Sequence, residues 1–563
     1  MKLFDLRHLG MLLLLVVVGF LTVYPLSMIV FGSFRSAAPG LPGHFTLNGY
    51  ITGFADPTIL KALWNTFALG FVRTLVTSFL AIFFCWILIR TDTPFKGVLE
   101  ILIWINFFIP MLPMTMGWIL LLDPSYGLFN QWLRKLPFIT GPVFNIYSFW
   151  GIVWAHIAFS TSIRVLMFAP AFRNMDAALE DSARMSGASN MKTLFRITFP
   201  LLMPAIVGST IFGFIKSLES FEVELLLGIP AKFYVFSTKV YDLLRWEPPQ
   251  YPPAMALSAI FMVITIGMIF LNRWIMQRRQ YTTITGKGYR TSVIQLGKWK
   301  YFTLAFVVLY AILFLVLPAT ILVVGTFMKI SGMFSLPNPY TMEHWKAVLS
   351  DPLFVRSTIN SLILCVAAAL IGMTFYSFIS YISVRTKLRG RAVLDFMSWL
   401  PWSVPGLLLA VGLLWVFLGG IPVFKVLYGT IYLLIIAMMV SHLPMGVRVM
   451  DGTMVQINKE LEESARMSGA TWFTTFRKIM APLLVPTYVS TAVIIFLGAM
   501  RDIAIVVLLY SPNSRVLSIL MLEHYIGMSP EKGMVVGLII TVICITVAII
   551  ARAIGIGVGP PRE

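Results

Sequence analysis

The chain has 563 residues, of which 58% are hydrophobic and 12% are charged, and its formal net charge at pH 7 is +19. Charged residues make up about a quarter of typical soluble domains, so the composition excludes a soluble globular protein. The basic residues gather in short polar breaks between apolar stretches, which excludes nucleic acid as the partner and is typical of loops on the cytoplasmic face of a membrane.

The apolar stretches predict an all-α membrane protein with about 12 transmembrane helices in two homologous six-helix halves. A stretch of about 20 apolar residues crosses the hydrocarbon layer, and because lipid cannot hydrogen-bond the backbone, each crossing must be helical. The first stretch is too long for a signal peptide and is expected to remain as a helix. The predicted spans are 9–33, 64–90, 98–122, 148–171, 203–229, 253–276, 301–327, 358–384, 393–418, 429–449, 486–511 and 531–556.

The distribution of positive charge orients these spans. The basic breaks are predicted to be cytoplasmic, as are both termini, and the breaks poor in Lys and Arg, such as 123–147, are predicted to lie outside. The polar stretch 277–300 is a cytoplasmic linker between an N-terminal half, 1–276, and a C-terminal half, 301–563. The three cysteines fall inside apolar stretches and are interpreted as packing residues.

A repeat relates the two halves. Residues 180–188 read EDSARMSGA, and residues 462–470, which lie 282 positions later, read EESARMSGA. Pro200 and Pro482 follow at the same separation. A repeat of an even number of spans keeps its orientation, so the halves are expected to be related by an axis along the membrane normal, with the translocation path between them.

Each repeat copy predicts a helix–glycine–helix knob on the cytoplasmic side. Asp176 and Asn458 are suitable N-caps for helices over 177–186 and 459–468. Gly187 and Gly469 then occupy positions where a left-handed backbone ends a helix.

Ser189 and Thr471 can cap a second short helix, which Pro200 and Pro482 are expected to end. The alternative to a docking knob is an amphipathic helix lying on lipid headgroups. Because the knob is duplicated, the pattern favours a two-fold partner protein.

These residues resemble the "EAA" coupling motif of the permease subunits of binding-protein-dependent ABC importers. The first alanine of the motif is replaced by serine in both copies, and its glutamate is aspartate in the first. The matching residues are Asp181, Ser182, Ala183, Gly187, Ile197 and Pro200, and again Glu463, Ser464, Ala465, Gly469, Ile479 and Pro482.

The resemblance implies a type I ABC importer permease in the bacterial cytoplasmic (inner) membrane. It implies a homodimeric ABC ATPase at the cytoplasmic face, which binds ATP and Mg, and an extracytoplasmic substrate-binding protein. The chain itself is then a non-catalytic subunit without cofactor, metal or ATP site. The residues implied in coupling to the ATPase are Asp181, Ala183, Arg184, Gly187, Glu463, Ala465, Arg466 and Gly469.

The substrate follows from a second resemblance. The segments 281–290 and 221–230 are similar to those of fused ferric-iron permeases, so ferric iron is the expected cargo. Thiamine, a polyamine or a phosphonate would suit the same architecture. A proton-driven secondary transporter with two parallel halves is the alternative from a different class.

Charged residues near the fifth and eleventh spans are candidates for the translocation path, because charge within lipid usually faces a cavity or a partner. They are Glu219, Glu222, Glu224, Arg501 and Asp502. The repeat places Glu219 opposite Arg501, which predicts an outer gate between them. The alternative is that each charge is neutralised within its own half.

The gate hypothesis predicts that exchanging the charges, Glu219→Arg with Arg501→Glu, restores part of the activity that either change alone removes. A double-mutant cycle on uptake measures this coupling. Strictly additive effects would mean that the two side chains do not interact.

Overall fold

The computed structural model describes residues 6–175, 177–277 and 293–553, and this part of the chain contains no β-strand. The predicted all-α class is confirmed. The predicted N-cap Asp176, the linker residues 278–292 and the two ends of the chain lie outside the described residues. The α-helices are α1 (Leu6–Ser33), α2 (Asn48–Ala55), α3 (Pro57–Arg90), α4 (Lys96–Phe108), α5 (Met111–Leu122), α6 (Leu128–Leu133), α7 (Phe149–Arg173), α8 (Ala177–Met185), α9 (Asn190–Thr193), α10 (Phe199–Leu218), α11 (Glu222–Leu227), α12 (Phe236–Arg245), α13 (Tyr251–Gln277), α14 (Trp299–Ala311), α15 (Leu317–Phe327), α16 (Glu343–Ser350), α17 (Pro352–Arg385), α18 (Arg391–Trp399), α19 (Gly406–Gly419), α20 (Ile431–Gln456), α21 (Glu460–Met467), α22 (Trp472–Thr475), α23 (Ala481–Arg501), α24 (Val506–Leu509), α25 (Leu517–Ile526) and α26 (Pro530–Ala553).

The described residues contain ten helices that are long and apolar enough to cross a membrane, and two bent helix pairs bring the number up to twelve. The bent pairs correspond to the predicted third and ninth spans. Helices α4 and α5 meet at 100°, and the segment Arg391–Ser403 meets α19 at 113°. The twelve segments match the twelve predicted spans in order.

Proline explains both bends. Ile109 and Val404 have extended backbones, and each precedes a proline, Pro110 or Pro405. The proline ring disfavours the helical conformation of the residue before it, so the helix ends there and restarts afterwards. Each proline lies 20 residues after the arginine that ends the preceding long helix, Arg90 or Arg385, and both bends have the same local cause.

The predicted fifth and eleventh spans, 203–229 and 486–511, are too long at their C-terminal ends. Helix α10 ends at Leu218 and helix α23 ends at Arg501, and a separate short helix follows each. After α23, the Asp502 side chain accepts a hydrogen bond from the Ile505 backbone N–H at 2.9 Å. Such local bonds compete with continued helix. Glu219 and Asp502 therefore lie where the helix is interrupted and not within an apolar helix.

The chain forms two compact units that do not coincide with the two sequence halves. One unit contains residues 1–56, 239–262 and 343–563, and the other contains 57–238 and 263–342. In the first unit, α1 packs against α19, and in the second, α15 packs against α5. The first span of each half thus belongs to the unit that holds most of the other half.

Close helix contacts hold the first span of each half within its compact unit. A Cβ added to Gly412 of α19 would lie 2.6 Å from the carbonyl oxygen of Pro25 in α1. In the other unit, a Cβ on Gly117 of α5 would lie 2.4 Å from the carbonyl oxygen of Pro318. Small residues allow such close approach of helix backbones in membranes.

We therefore expect Gly117→Ala and Gly412→Ala each to lower the stability of the purified protein. The methyl group meets backbone, so the helices must separate, and overpacking of this kind costs about 1–3 kcal/mol. Thermal unfolding in detergent measures the effect. Gly267→Ala is the control, because a Cβ added to Gly267 would have no neighbouring atom within 4 Å. Equal melting temperatures for the three variants would contradict this assignment.

Candidate functional site

The two knobs are built as the repeat predicts. Knob 1 comprises α8 and α9, and knob 2 comprises α21 and α22. Their first helices are Ala177–Met185 and Glu460–Met467, within two residues of the predicted bounds. Asn458 performs its predicted role, since its Oδ1 accepts a hydrogen bond from the Glu460 backbone N–H at 3.2 Å.

A left-handed glycine ends the first helix of each knob. Gly187 has φ +84° and Gly469 has φ +81°. The Ala188 backbone N–H donates to the Ala183 carbonyl, and the equivalent Ala470 N–H donates to that of Ala465, both at 3.0 Å. These bonds satisfy carbonyl groups that the helix end leaves open. The prediction for the two glycines is confirmed.

The second helix of each knob continues into the next span. Ser189 and Thr471 cap it through hydrogen bonds from the backbone N–H groups three residues later, both at 3.3 Å. A π-helical turn follows, Leu194–Thr198 or Phe476–Met480, and leads directly into α10 or α23. The expectation that Pro200 and Pro482 end this excursion is wrong. The helix continues through each proline, which lies two residues after the π-helical turn.

The outer surface of each knob carries an exposed methionine beside an acidic residue. Met185 is 90% exposed and Met467 is 89% exposed, among the highest values for the large hydrophobic residues. Asp181 and Glu463 are exposed on the same helices. A flexible apolar side chain with a neighbouring charge, repeated in identical form, is a surface suited to contact with another protein.

The inner surface of each knob is held by a buried ion pair that joins it to the end of a span. In knob 1, Arg90 Nη2 lies 2.6 Å from Glu180 Oε1, and both side chains are at most 2% exposed. In knob 2, Arg385 Nε lies 3.4 Å from Glu462 Oε1. Arg90 and Arg385 are the last residues of α3 and α17, which are both 34 residues long.

Additional hydrogen bonds support each ion pair, and they differ between the knobs. Thr198 donates to Glu180 Oε1 at 2.7 Å. Tyr381 donates to Glu462 Oε2 at 3.2 Å, and Arg385 Nη2 donates to two carbonyl oxygens at the end of α20, each at 2.6 Å. Buried charges are stable only with such partners.

The sequence did not predict that these four residues form ion pairs. Arg90 and Arg385 were among the basic residues predicted to lie on the cytoplasmic side, and Glu180 and Glu462 were noted only as part of the repeat. The available signal was that both residues of the pair occur in both halves. An arginine ends the second span of each half, and a glutamate directly precedes each copy of the motif. Their pairing depends on how the knob folds back on the span.

The other predicted coupling residues surround the same glutamates. Arg184 Nη2 lies 3.5 Å from Glu180 Oε2, and Arg466 Nη2 lies 3.9 Å from Glu462 Oε2. In each knob the arginine is one helical turn after the glutamate. Ala183 and Ala465 are half-buried on these helices. The motif residues thus divide into an outer exposed set and an inner set that lies close to the ion pair.

The predicted gate residues lie at or near the two places where helical structure is interrupted, after α10 and after α23. Glu219 caps the end of α10, and its Oε1 lies 3.0 Å from Lys216 Nζ in the same half. This contact matches the alternative of neutralisation within one half. Glu222 begins α11, and Arg501 and Asp502 adjoin the end of α23. The pairing of Glu219 with Arg501 stays a prediction from the repeat.

Glu224 lies in a closed polar cluster instead of an open surface. Its Oε1 lies 2.9 Å from His156 Nε2 and 3.6 Å from Arg73 Nη1, and all three side chains are at most 5% exposed. Ser220 donates to its other oxygen at 2.7 Å. This cluster joins α3, α7 and α11 within one compact unit, which favours a structural role for Glu224. His156 serves as a hydrogen-bonding residue in this cluster.

Comparisons with known proteins agree with this arrangement. Residues 368–556, which include knob 2, match the family described as the binding-protein-dependent transport system inner membrane component. The "Probable ABC transporter permease protein y4fN" of Sinorhizobium fredii is 26% identical over 515 residues, 89% of each chain. Residues 368–556 therefore form a permease domain of the binding-protein-dependent ABC importer family. The family that the twin motifs indicated is confirmed, and the permease is a multi-pass membrane protein and a non-catalytic subunit.

Two further relatives are named as ferric transport system permeases. Those of Haemophilus influenzae and Actinobacillus pleuropneumoniae are each 29% identical to the permease over 66% of its length. The matches span 58% and 53% of these two longer chains. Within the described residues of the permease, no three His, Cys, Asp or Glu side chains are placed to hold a metal ion.

The ion pairs generate a stability prediction. Glu180→Gln and Glu462→Gln leave a buried arginine without its counter-charge, which costs about 3–5 kcal/mol when one partner of a buried pair is removed. Both variants should melt at a lower temperature in detergent. Glu460→Gln, an exposed glutamate in the same helix as Glu462, is the control and should match wild type.

A double variant separates the ion pair from general damage to the knob. Arg385→Met with Glu462→Met removes both charges, and replacing a buried pair by apolar residues is often neutral. We expect this double variant to recover stability relative to Glu462→Gln. If it is the less stable of the two, the ion pair is not what holds knob 2.

Proposed function

We propose that the permease forms the translocation path of an ATP-driven importer and that its two knobs dock into a homodimeric ABC ATPase. The observation that carries this proposal is the pair of equivalent knobs, each exposed on its outer surface and ion-paired on its inner one. A two-fold ATPase offers two identical clefts, and the repeat offers two matching knobs. ATP and Mg are bound by that partner.

The buried ion pairs give these knobs a mechanical role. Movement of an ATPase cleft displaces the docked knob, and the Arg–Glu contacts carry that displacement to the ends of α3 and α17. Because separating either ion pair within the protein is costly, the knob and its span move together. Closure of the ATPase dimer thereby changes the arrangement of the spans.

The proposed cargo is ferric iron, delivered by an extracytoplasmic binding protein to the outer face. Two relatives with ferric transport names support this choice, together with the family's dependence on a binding protein. In this proposal the permease lies in the bacterial inner membrane, and the knobs, the linker and both termini face the cytoplasm.

Uptake by the assembled transporter tests the proposal. The permease is co-expressed with its cognate ATPase and binding protein, and the complex is reconstituted in proteoliposomes. We expect radioactive ferric iron to accumulate only with ATP and the binding protein. Accumulation without ATP would contradict primary transport, and the absence of any iron uptake by an active ATPase complex would contradict the cargo.

The glycines of the knobs link this uptake to docking. A β-branched residue at positive φ is strained by about 1–3 kcal/mol, so Gly187→Val with Gly469→Val should distort both knobs. We expect at least a tenfold loss of ATP-driven uptake or of ATPase co-purification. Gly187→Asn with Gly469→Asn is the matched control, since asparagine tolerates this backbone region. Wild-type uptake by the valine variant would exclude the knobs as coupling elements.

A further inference from the structure

A cavity lined by tyrosines lies in the compact unit that contains residues 239–262 and 343–563. Its volume is about 480 Å³, which is large enough for a small solute. Its polar lining consists of four tyrosines, one arginine and one glutamate: Tyr241, Tyr251, Tyr428, Tyr510, Arg245 and Glu523. The remaining lining is mainly leucine, isoleucine and valine.

Two equivalent helices of the repeat line this cavity together. Helix α12 contributes Tyr241 and Leu244, and helix α25 contributes Glu523 and Ile526. Tyr241 and Glu523 are 282 positions apart, as are Leu244 and Ile526, which is the separation of the two knobs. Positions related by a two-fold axis line one cavity only when the cavity lies close to that axis. The cavity therefore lies where the translocation path of two parallel halves is expected.

The cavity lies toward the membrane face opposite knob 2. Knob 2 leads into the span Phe473–Arg501, and the lining residues of α24 and α25 follow the far end of that span. With the knobs cytoplasmic, the cavity is on the side from which a binding protein delivers its cargo.

The carboxylate in the cavity is already neutralised. Arg515 Nε lies 2.8 Å from Glu523 Oε2, and the Tyr510 hydroxyl donates to Glu523 Oε1 at 3.0 Å. Arg245 has no carboxylate within ion-pair distance among the described residues. Arg245 is therefore the lining cation that is available to a solute.

The tyrosines supply hydroxyl donors and not phenolates. Burial, with the neighbouring Glu523 carboxylate, raises the pKa of Tyr510 to about 12, and burial also raises the pKa of Tyr241. A ligand to a metal ion must be deprotonated, so neutral phenols beside a guanidinium are poor ligands for a bare cation. Neutral hydroxyls and a guanidinium instead bind anionic oxygen atoms.

We propose that this cavity is a transit site for a small anionic solute rich in oxygen, so that iron passes it as a negatively charged carboxylate chelate and not as the bare ion. This inference rests on the proposed import of ferric iron. Arg245 binds the charge, the tyrosine hydroxyls bind the outer oxygen atoms, and the apolar lining contacts the carbon skeleton of the chelator.

Binding of radioactive ferric citrate to the full-length permease in lipid nanodiscs tests the site. We expect Arg245→Gln to weaken binding at least tenfold and Tyr428→Phe to weaken it several-fold. Lys346→Gln, an exposed cation outside the cavity, is the control and should bind as wild type does. Equal melting temperatures establish that the variants are folded.

A glutamine at Glu523 distinguishes an anion site from a cation site. Glu523→Gln removes negative charge and should leave ferric citrate binding unchanged or tighter. If Glu523→Gln abolishes binding and Arg245→Gln does not, the cavity is a cation site and the proposal is overturned. Wild-type binding by both Arg245→Gln and Tyr428→Phe overturns it as well.

Uptake in proteoliposomes separates this inference from the proposed function. Import of iron by wild type with equal import by Arg245→Gln would refute the transit site and leave the proposed function intact. The absence of iron import by wild type would refute the proposed function itself. Reduced import by Arg245→Gln with undiminished basal ATP hydrolysis supports both.

Discussion

The buried ion pairs between Arg90 and Glu180 and between Arg385 and Glu462 join the two knobs to the ends of the helices α3 and α17. The second helix of each knob continues into a span, but the first helix is joined to it only through the glycine turn and needs another contact to fix its orientation. A charge pair excluded from water can do so, because separating it leaves two unpaired buried charges. The ion pair joins the knob to the second span of its half, and the continuous helix joins it to the span that follows.

The spans to which the knobs are attached pack through small residues and prolines. Gly117 and Gly412 allow the first span of each half to approach closely within a compact unit built mainly from the other half. Pro110 and Pro405 turn the third and ninth spans through about a right angle. In both spans the glycine follows the proline by seven residues, so the third and ninth spans bend and pack in the same way.

The two compact units differ in how they use the charged residues that lie near the C-terminal ends of the fifth and eleventh spans. The first half contains a closed cluster in which Glu224 is bound by His156 and Arg73. In the other compact unit, Glu523 is neutralised by Arg515 at the wall of a cavity that Arg245 and the tyrosines line. A buried cluster stabilises helix packing, whereas an accessible cavity lined by an arginine and tyrosine hydroxyls can bind a solute.

The sequence by itself determined the class, the number of spans, the repeat and the knobs. These properties depend on local composition and spacing: apolar length predicts spans, and a glycine after a capped helix predicts the left-handed turn found at Gly187 and Gly469. Only the tertiary structure decided which charges meet, because Arg90 and Glu180 are far apart in the chain, and no local pattern joins them. It likewise decided that Glu219 contacts Lys216, that the fifth span ends at Leu218, and that equivalent helices share one cavity. A repeat specifies which positions are equivalent, but contacts depend on how the helices pack.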